Sequence, residues 1–351
     1  MSAGAQIVAK QSTLQENLAR IGKVAPDRWL PPLRGSEWGY RRRGRLSARY
    51  VDRKQRLLLG FRERNGKFVA DLDACLVAVP AIGLHLRALA EALGELSVAR
   101  YVPQVEFAAG DSGSCIVIRH LQELSSADRE RLARFGRDTG ISVLLQAGGP
   151  DSVATLDGPL PNLEFTVDGG SVTLAFEPLD FVQVNASINE AMIAHAIALL
   201  EPAPHERALD LFCGLGNFTL PLARRCVRVV GVEGDSGLVA RARANAVRNG
   251  VGNVEFVAAD LFGSHPTSGW ARDDHDLLLL DPPRAGAQEV LAVLPGKRVR
   301  RVVYVSCHPA SLARDAAILV ERHGFKLSSA GVMDMFPHTA HVESIAVFDR
   351  G

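Results

Sequence analysis

From residue 185 to the C-terminus the chain alternates short apolar runs with stretches of helical spacing, and few folds accept such a sequence. Residues 208–212, 227–233, 254–258, 276–280 and 302–306 read as strands. Helices are expected over 237–249, where Gly250 stops the pattern, and over 309–323. Strands separated by helices pair in parallel and bury both faces of their sheet. The spacing therefore predicts an α/β fold, completed by two closing strands at 325–335 and 342–348.

The preceding half has a different texture. Residues 5–21 place Ile7, Leu14, Leu18 and Ile21 at helical spacing, ahead of Pro26, Pro31 and Pro32. Between 38 and 177, runs such as YVPQVEFAA, SCIVIRH, SVLLQ and SVTLAF alternate with turn signals such as GDSGS and AGGPDS, with helices near 82–93 and 126–134. The expected organisation is an N-terminal helical segment (1–33), a β-rich α+β domain (34–178) and an α/β domain (179–351), in keeping with 351 residues.

Composition narrows the class. With 47% hydrophobic residues and a net charge of +1, the chain reads as a soluble globular protein. No apolar run approaches the roughly 18 residues a bilayer span needs, and MSAGAQIVAKQ lacks a signal-peptide core, so a cytoplasmic location is expected. The five cysteines, Cys75, Cys115, Cys213, Cys226 and Cys307, are scattered without a C-x-x-C pair and read as reduced thiols. The small net charge hides an asymmetry. Residues 40–67 hold eleven Arg and Lys against Asp52 and Glu63, an excess of nine and a patch suited to a polyanion.

The first α/β strand runs into DLFCGLGNF (210–218), a strand end, a tight glycine turn and a helix start. Glycines let backbone approach a ligand, and strand ends at a topological switch are where such sheets take adenosine cofactors. An ordinary turn or a nicotinamide dinucleotide site would also suit G-x-G. Against the dinucleotide, Leu220 stands near the place of the third glycine and Asn217 puts an amide where a pyrophosphate needs clearance. Glu233, about twenty residues on, suits the ribose hydroxyls, and Asp260, closing VEFVAAD, suits an adenine amine. Polar groups at three successive strand ends point to S-adenosylmethionine.

In DPPRAG (281–286) two prolines fix the direction of Asp281, which suits a hydrogen bond to a planar base and equally methylation of an exocyclic amine. In VYVSCHPASL (303–312), Cys307 ends a strand on the same rim as Asp210, Glu233 and Asp281, and Pro309 suits the first turn of a helix. A helix N-terminus stabilises thiolate, so Cys307 is expected to have a lowered pKa and to react, whereas Cys115, Cys213 and Cys226 read as small apolar fillers. A buried structural thiol is the competing reading. Glu343 in HVESIAVF shares a strand face with Ile345 and Val347, where an unpaired charge is costly. It reads as a general base of raised pKa, or as an edge-strand acid reaching solvent.

Together these motifs resemble the RNA uracil-5-methyltransferase family, most closely its bacterial 23S rRNA branch. FVQVN (181–185), DLFCGLGNFTLP (210–221), DPPRAG (281–286), YVSCHPASLARD (304–315) and DMFPHTAHVES (334–344) occur in the family's order, and the likeness spans essentially the whole chain. WGYRRRGRLS (38–47) and LSSADRE (124–130) point to the rRNA branch. The resemblance implies a class I, Rossmann-like S-adenosylmethionine-dependent methyltransferase domain behind an RNA-contacting domain, making 5-methyluridine at one uridine of 23S rRNA. Cys307 would add to uracil C6 and Glu343 would remove the C5 proton. Gln183, Phe212, Asn217, Glu233, Asp260 and Asp281 would surround the cofactor, with Asp281 and Phe181 facing a flipped base. Arg41, Arg42, Arg43 and Arg45 would meet phosphates, offsetting an extrusion cost of a few kcal/mol. A monomer without an obligate protein partner is expected.

Two departures stand out. Many relatives hold a [4Fe-4S] cluster on four cysteines, three near the N-terminus; here only Cys75, in DLDACLV, matches, because the chain begins past the first three, and one thiolate cannot hold a cubane. His308 stands where the family usually has Asn, which makes the charge beside the nucleophile depend on pH. The other functions weighed are methylation of another rRNA or a tRNA uridine, a truncated and catalytically idle RNA-binding form, and an NAD-dependent dehydrogenase.

Overall fold

The computed structural model describes residues 2–63, 66, 68–263, 269–294 and 298–350. Of the basic run at 40–67, Arg64 and Lys67 lie outside the described residues. The chain forms two compact units, one of Met1–Gly35, Thr166–Leu174 and Ser187–Gly351, the other of Ser36–Phe165 and Ala175–Ala186.

The first unit is built on an eight-stranded sheet. Its order is Arg28–Trp29, Phe325–Met333, Glu343–Arg350, Arg301–Ser306, Leu277–Leu280, Arg207–Leu211, Arg228–Glu233 and Val254–Ala258. The five strands from Arg301–Ser306 to Val254–Ala258 run parallel, and Glu343–Arg350 lies antiparallel between Arg301–Ser306 and Phe325–Met333. Leu277–Leu280 is four leucines, all buried, as a strand covered on both faces requires. From Arg207–Leu211 the chain builds outward in one direction and then returns to its other side at Leu277–Leu280. That reversal is a topological switch, and the carboxyl ends of these strands flank the crevice such a switch opens.

The helix Pro309–His323 starts with Pro309 in its first turn and stops at Gly324, whose φ of 69° is the left-handed conformation of a glycine cap. Helix Ala3–Asn17, capped by Ser2, packs on it and on Phe325–Met333, burying Ile7, Leu14 and the following Leu18. The residues marked off by sequence as a separate N-terminal segment thus share this unit, and Arg28–Trp29 adds an edge strand to its sheet. Lys10 is buried in that contact, and its ammonium donates to Asp334 Oδ1 at 2.6 Å and to the Phe336 carbonyl at 2.9 Å.

The second unit is a six-stranded sheet in the order Arg56–Gly60, Arg43–Val51, Gln104–Ala109, Ser114–Arg119, Ser142–Gln146 and Val153–Thr155, antiparallel except where Ser114–Arg119 meets Ser142–Gln146. Leu46, Leu59, Phe107, Ile116 and Ile118 form its core with Leu86, Leu89, Leu93 and Leu132 from helices Leu86–Gly94 and Ser126–Thr139. The helix expected at 82–93 is two, Pro80–Gly83 and Leu86–Gly94, and the one expected at 126–134 runs on to Thr139 because the αL stop is Gly140. Ser125 and Asp128 make a reciprocal capping box, and Asp128 also accepts from Ser97 N and Oγ. Burial opposes that charge, but the Ser97 and Ser125 hydrogen bonds bring its carboxyl down to about 2.

Candidate active site

The glycine turn after Arg207–Leu211 is shaped by backbone that few residues adopt. Phe212 has a φ of 65°, Gly214 of 53° and Gly216 of 90°. A Cβ at Gly216 would press on Leu220 and Phe256 at 3.2 and 3.3 Å, whereas at Gly214 it would meet nothing within 4 Å, leaving room for a ligand against the backbone. Glu233 is folded onto this turn, accepting from Gly214 N at 3.1 Å and from Gly234 and Asp235 N at 2.7 and 3.1 Å. Asn217 exchanges two amide hydrogen bonds with Asn189, at 3.0 and 2.8 Å. Asp260 is exposed and accepts from Phe262 N, while the Phe262 ring tilts against Phe212 with centroids 5.6 Å apart. Sequence reasoning missed Asn189 and Phe262, since neither sits in a strand-end motif.

Beneath the turn, Asp210 is fully buried. One oxygen accepts from Thr219 Oγ1 at 2.6 Å and the other, Oδ1, has no partner among the described residues. Burial raises this carboxyl to about 7, with Thr219 opposing and the charge of Glu233 adding to the shift.

The candidate nucleophile and base stand on neighbouring strands. Ser306 pairs with Ser344 in the last register of the antiparallel ladder, and Cys307 and Glu343 are the next residue on each side. Glu343 is 8% exposed and Cys307 is half-buried. The Cys307 thiol is pushed up to about 12, first by burial and then by the charges of Glu343 and Asp281, with Arg284 opposing. This corrects the sequence expectation of a lowered thiol pKa. A helix does begin at Pro309, but the thiol beside it is half-buried next to two carboxylates, and His308 Nδ1 caps the helix, 3.4 Å from Ser311 N. Burial also raises Cys115 and Cys226 to about 12 and Cys213 well above the usual range.

The loop at 281–286 is fastened to helix Pro309–His323 at three points. Ser311 Oγ donates to the Arg284 carbonyl at 2.5 Å and Arg314 to the Ala285 carbonyl at 2.7 Å. The buried Asp315 accepts from Ala287 N at 2.7 Å and from the Tyr304 hydroxyl at 2.6 Å. Gly286, at φ 84°, leaves room for them, since a Cβ there would lie 2.6 Å from Asp315 Oδ2 and 3.1 Å from Ser311 Cβ. These bonds tie the loop that bears Asp281 and Arg284 to the helix that follows Cys307. Further along, His341 lies between Glu343 Oε1, at 3.3 Å, and Arg284, at 3.1 Å.

In the second unit, Phe181 is 65% exposed and Gln183 is partly buried. Of the four arginines expected to meet phosphate, Arg42 is 5% exposed with its guanidinium 4.7 Å from the Phe165 ring centre, and Arg43 is paired with Glu106 and donates to the Leu179 carbonyl. Arg41 is half-buried, 5.6 Å over Phe61. Arg45 is exposed, although it too pairs with Glu106, at 2.9 Å. Burial lowers the pKa of Arg41, Arg42 and Arg43. Arg42 thus lies inside the fold, its guanidinium over an aromatic ring, and is not an open phosphate contact. Cys75 is buried, and among the described residues no group of three or more His, Cys, Asp or Glu is placed to hold a metal ion.

A parallel sheet reversing at Arg207–Leu211, a glycine turn at that strand's end and an acid ending the next strand define a class I, Rossmann-like methyltransferase domain. The chain belongs to the tRNA (uracil-5-)-methyltransferase family, whose model matches residues 5–264 and 271–350. It is 59% identical over 345 residues to the 23S rRNA (uracil(1939)-C(5))-methyltransferase RlmD of Stenotrophomonas maltophilia (strain K279a), covering 98% of this chain and 78% of that protein. Its identity to the protein of the same name from Xylella fastidiosa (strain 9a5c) is 56% over 346 residues, covering 99% and 78%. Among solved structures, Pyrococcus abyssi tRNA (uracil-54, C5)-methyltransferase, in complex with S-adenosyl-L-homocysteine, shares the fold. Its TM-score is 0.74 at 21% identity, over 99% of this chain and 82% of that one. No described helix is long and apolar enough to cross a membrane.

Proposed function

We propose that this protein methylates C5 of a uridine in 23S rRNA, through a covalent bond between Cys307 and uracil C6. The observation that carries the reading is the placement of Cys307 and Glu343 one step beyond the Ser306–Ser344 pair, at the ends of adjacent strands. The glycine turn with open space at Gly214, the unpartnered Asp210 oxygen below it and the Glu233 carboxylate beside it suit S-adenosylmethionine. That cofactor, when bound, supplies an electrophilic methyl group. Phe212, Asn217, Glu233, Asp260 and Asp281 of the first unit are proposed to hold it.

Uracil C5 is a weak nucleophile. Cys307, losing its thiol proton to solvent as it reacts, adds through sulfur to C6, forming an S–C6 bond and moving the C5=C6 electron pair onto C5 and O4 as an enolate. C5 would then take the methyl group that the cofactor supplies, its S–CH3 bond breaking to leave a neutral thioether. Glu343 removes the C5 proton, the electron pair it leaves re-forms C5=C6, and the C6–S bond breaks to return the thiolate. Asp281 orients the base, and on the second unit the exposed Phe181 ring offers a stacking face for a nucleotide of the RNA. Arg45 is the arginine of the four open enough to meet a phosphate as it stands. We assign residues 179–351 the catalytic role and 34–178 the RNA-contacting one.

Incubation with 23S rRNA carrying 5-fluorouridine tests this directly, because fluorine cannot leave as a proton does and the adduct persists. A denaturation-stable protein–RNA adduct through Cys307, together with cofactor-dependent 5-methyluridine in unsubstituted rRNA, is expected. Methylation without any adduct would remove Cys307 from the reaction.

A further inference from the structure

His341 is held from three sides. Its Nε2 lies 3.3 Å from Glu343 Oε1, its Nδ1 lies 3.1 Å from an Arg284 terminal nitrogen, and the Phe336 ring meets it edge-on with centroids 4.5 Å apart. A guanidinium has donors only, so Arg284 can hydrogen-bond to Nδ1 only where that nitrogen carries a lone pair. In a neutral imidazole the proton then sits on Nε2, facing the Glu343 carboxylate. Phe336 is fixed in turn, since its carbonyl accepts from the buried Lys10, which is paired with Asp334. The N-terminal helix therefore sets the ring against which His341 rests.

We propose that His341 is a positioning residue, a neutral imidazole whose Nε2–H holds the Glu343 carboxylate in the orientation that meets the C5 proton. This rests on reading Glu343 as the base. Nε2 already bears a hydrogen and Nδ1 is engaged by Arg284, so His341 does not receive the proton that Glu343 takes up. It acts through direction alone. A base misplaced by about 1 Å costs on the order of 10²-fold in rate, which sets the scale of the effect.

The test compares the full chain with His341→Ala and His341→Gln, the glutamine amide being able to present an N–H near the place of Nε2. Each is given 23S rRNA transcribed with uridine or with 5-fluorouridine. His341→Ala is expected to slow turnover on uridine RNA by about 10²-fold at nearly unchanged KM, and to form the 5-fluorouridine adduct to the wild-type extent, since that adduct needs no proton removal. The same adduct yield shows that the variant is folded and binds both substrates. His341→Gln is expected to recover to within about tenfold of wild type. Equal turnover by wild type and His341→Ala overturns the proposal, and so does a glutamine variant as slow as the alanine one, which would make His341 a proton carrier. A wild-type protein that forms no adduct overturns instead the uracil chemistry on which the proposal stands.

Discussion

Cys307 and Glu343 stand at the ends of two adjacent antiparallel strands, each one residue beyond the paired Ser306 and Ser344. Burial and then the charge of this carboxylate raise the thiol, so the two groups proposed to react influence each other before any substrate arrives. On the proposed mechanism, Glu343→Gln leaves attack and methyl transfer possible and removes the group that takes the C5 proton. Turnover is expected to fall about 10²–10⁴-fold, and an adduct with ordinary uridine RNA, absent from wild type, should appear on denaturing gels. A variant that slows without trapping RNA would place Glu343 before the methyl transfer.

A thiol pushed up to about 12 is almost wholly protonated at neutral pH. Iodoacetamide should therefore label Cys307 in the free protein at pH 8 at least about a hundredfold more slowly than it labels free cysteine, as followed by peptide mass spectrometry. Glu343→Gln removes one of the charges responsible and should speed labelling several-fold. Labelling of wild type at the rate of an ordinary thiol would contradict the raised pKa.

Asp210 gives the fold a pH dependence of calculable sign. Its carboxyl moves from 3.8 to about 7 on folding, mainly through burial. Below about pH 4 it is protonated in both states and costs nothing. Between about 4 and 7 the unfolded chain ionises while the folded one resists, so the stabilisation is lost as pH rises and levels off above 7, by up to about 4 kcal/mol. Asp210→Asn, which can still accept from Thr219, should flatten this fall when urea midpoints at pH 5 and pH 8 are compared. An identical fall in both proteins would assign the pH dependence to other groups.

Arg42 and Arg45 should separate folding from RNA binding. Arg42→Ala deletes a buried guanidinium packed on Phe165 and is expected to destabilise the protein by about 2 kcal/mol. Arg45→Ala should leave thermal stability within about 0.5 kcal/mol, and should weaken rRNA binding with a salt dependence flattened by about one phosphate contact. The opposite pattern in melting and filter-binding measurements would return Arg42 to the RNA surface.

Asp128 links helix Ser126–Thr139 to Ser97 through its capping box. Asp128→Ala leaves Ser97 and Ser125 donors unpaired and should cost about 1–3 kcal/mol in urea unfolding, with methyl transfer unchanged at 20 °C.

What could be read from the sequence were features written in local periods. The α/β alternation, the helix Pro309–His323, the glycine turn after Asp210 and the strand ends bearing Glu233, Cys307 and Glu343 all follow from spacing and from residues with restricted backbones. Side-chain environment was not readable in this way. A helix start beside Cys307 reads as an activating dipole until the sheet brings Glu343 and Asp281 to the same thiol. An arginine run reads as surface until the fold carries one of its members inward, as it does with Arg42 against Phe165.

The amino-acid order alone determined which elements form and which chemical groups end up at the carboxyl edge of the sheet, because those depend on neighbours a few residues apart. Only the tertiary structure decided how the groups meet: the Cys307–Glu343 register, the Arg284–His341–Glu343 chain and the anchoring of Phe336 by Lys10. These join residues as far as 326 positions apart. Desolvation, proton placement and strand register are properties of the surroundings, and no local pattern encodes surroundings supplied by distant parts of the chain.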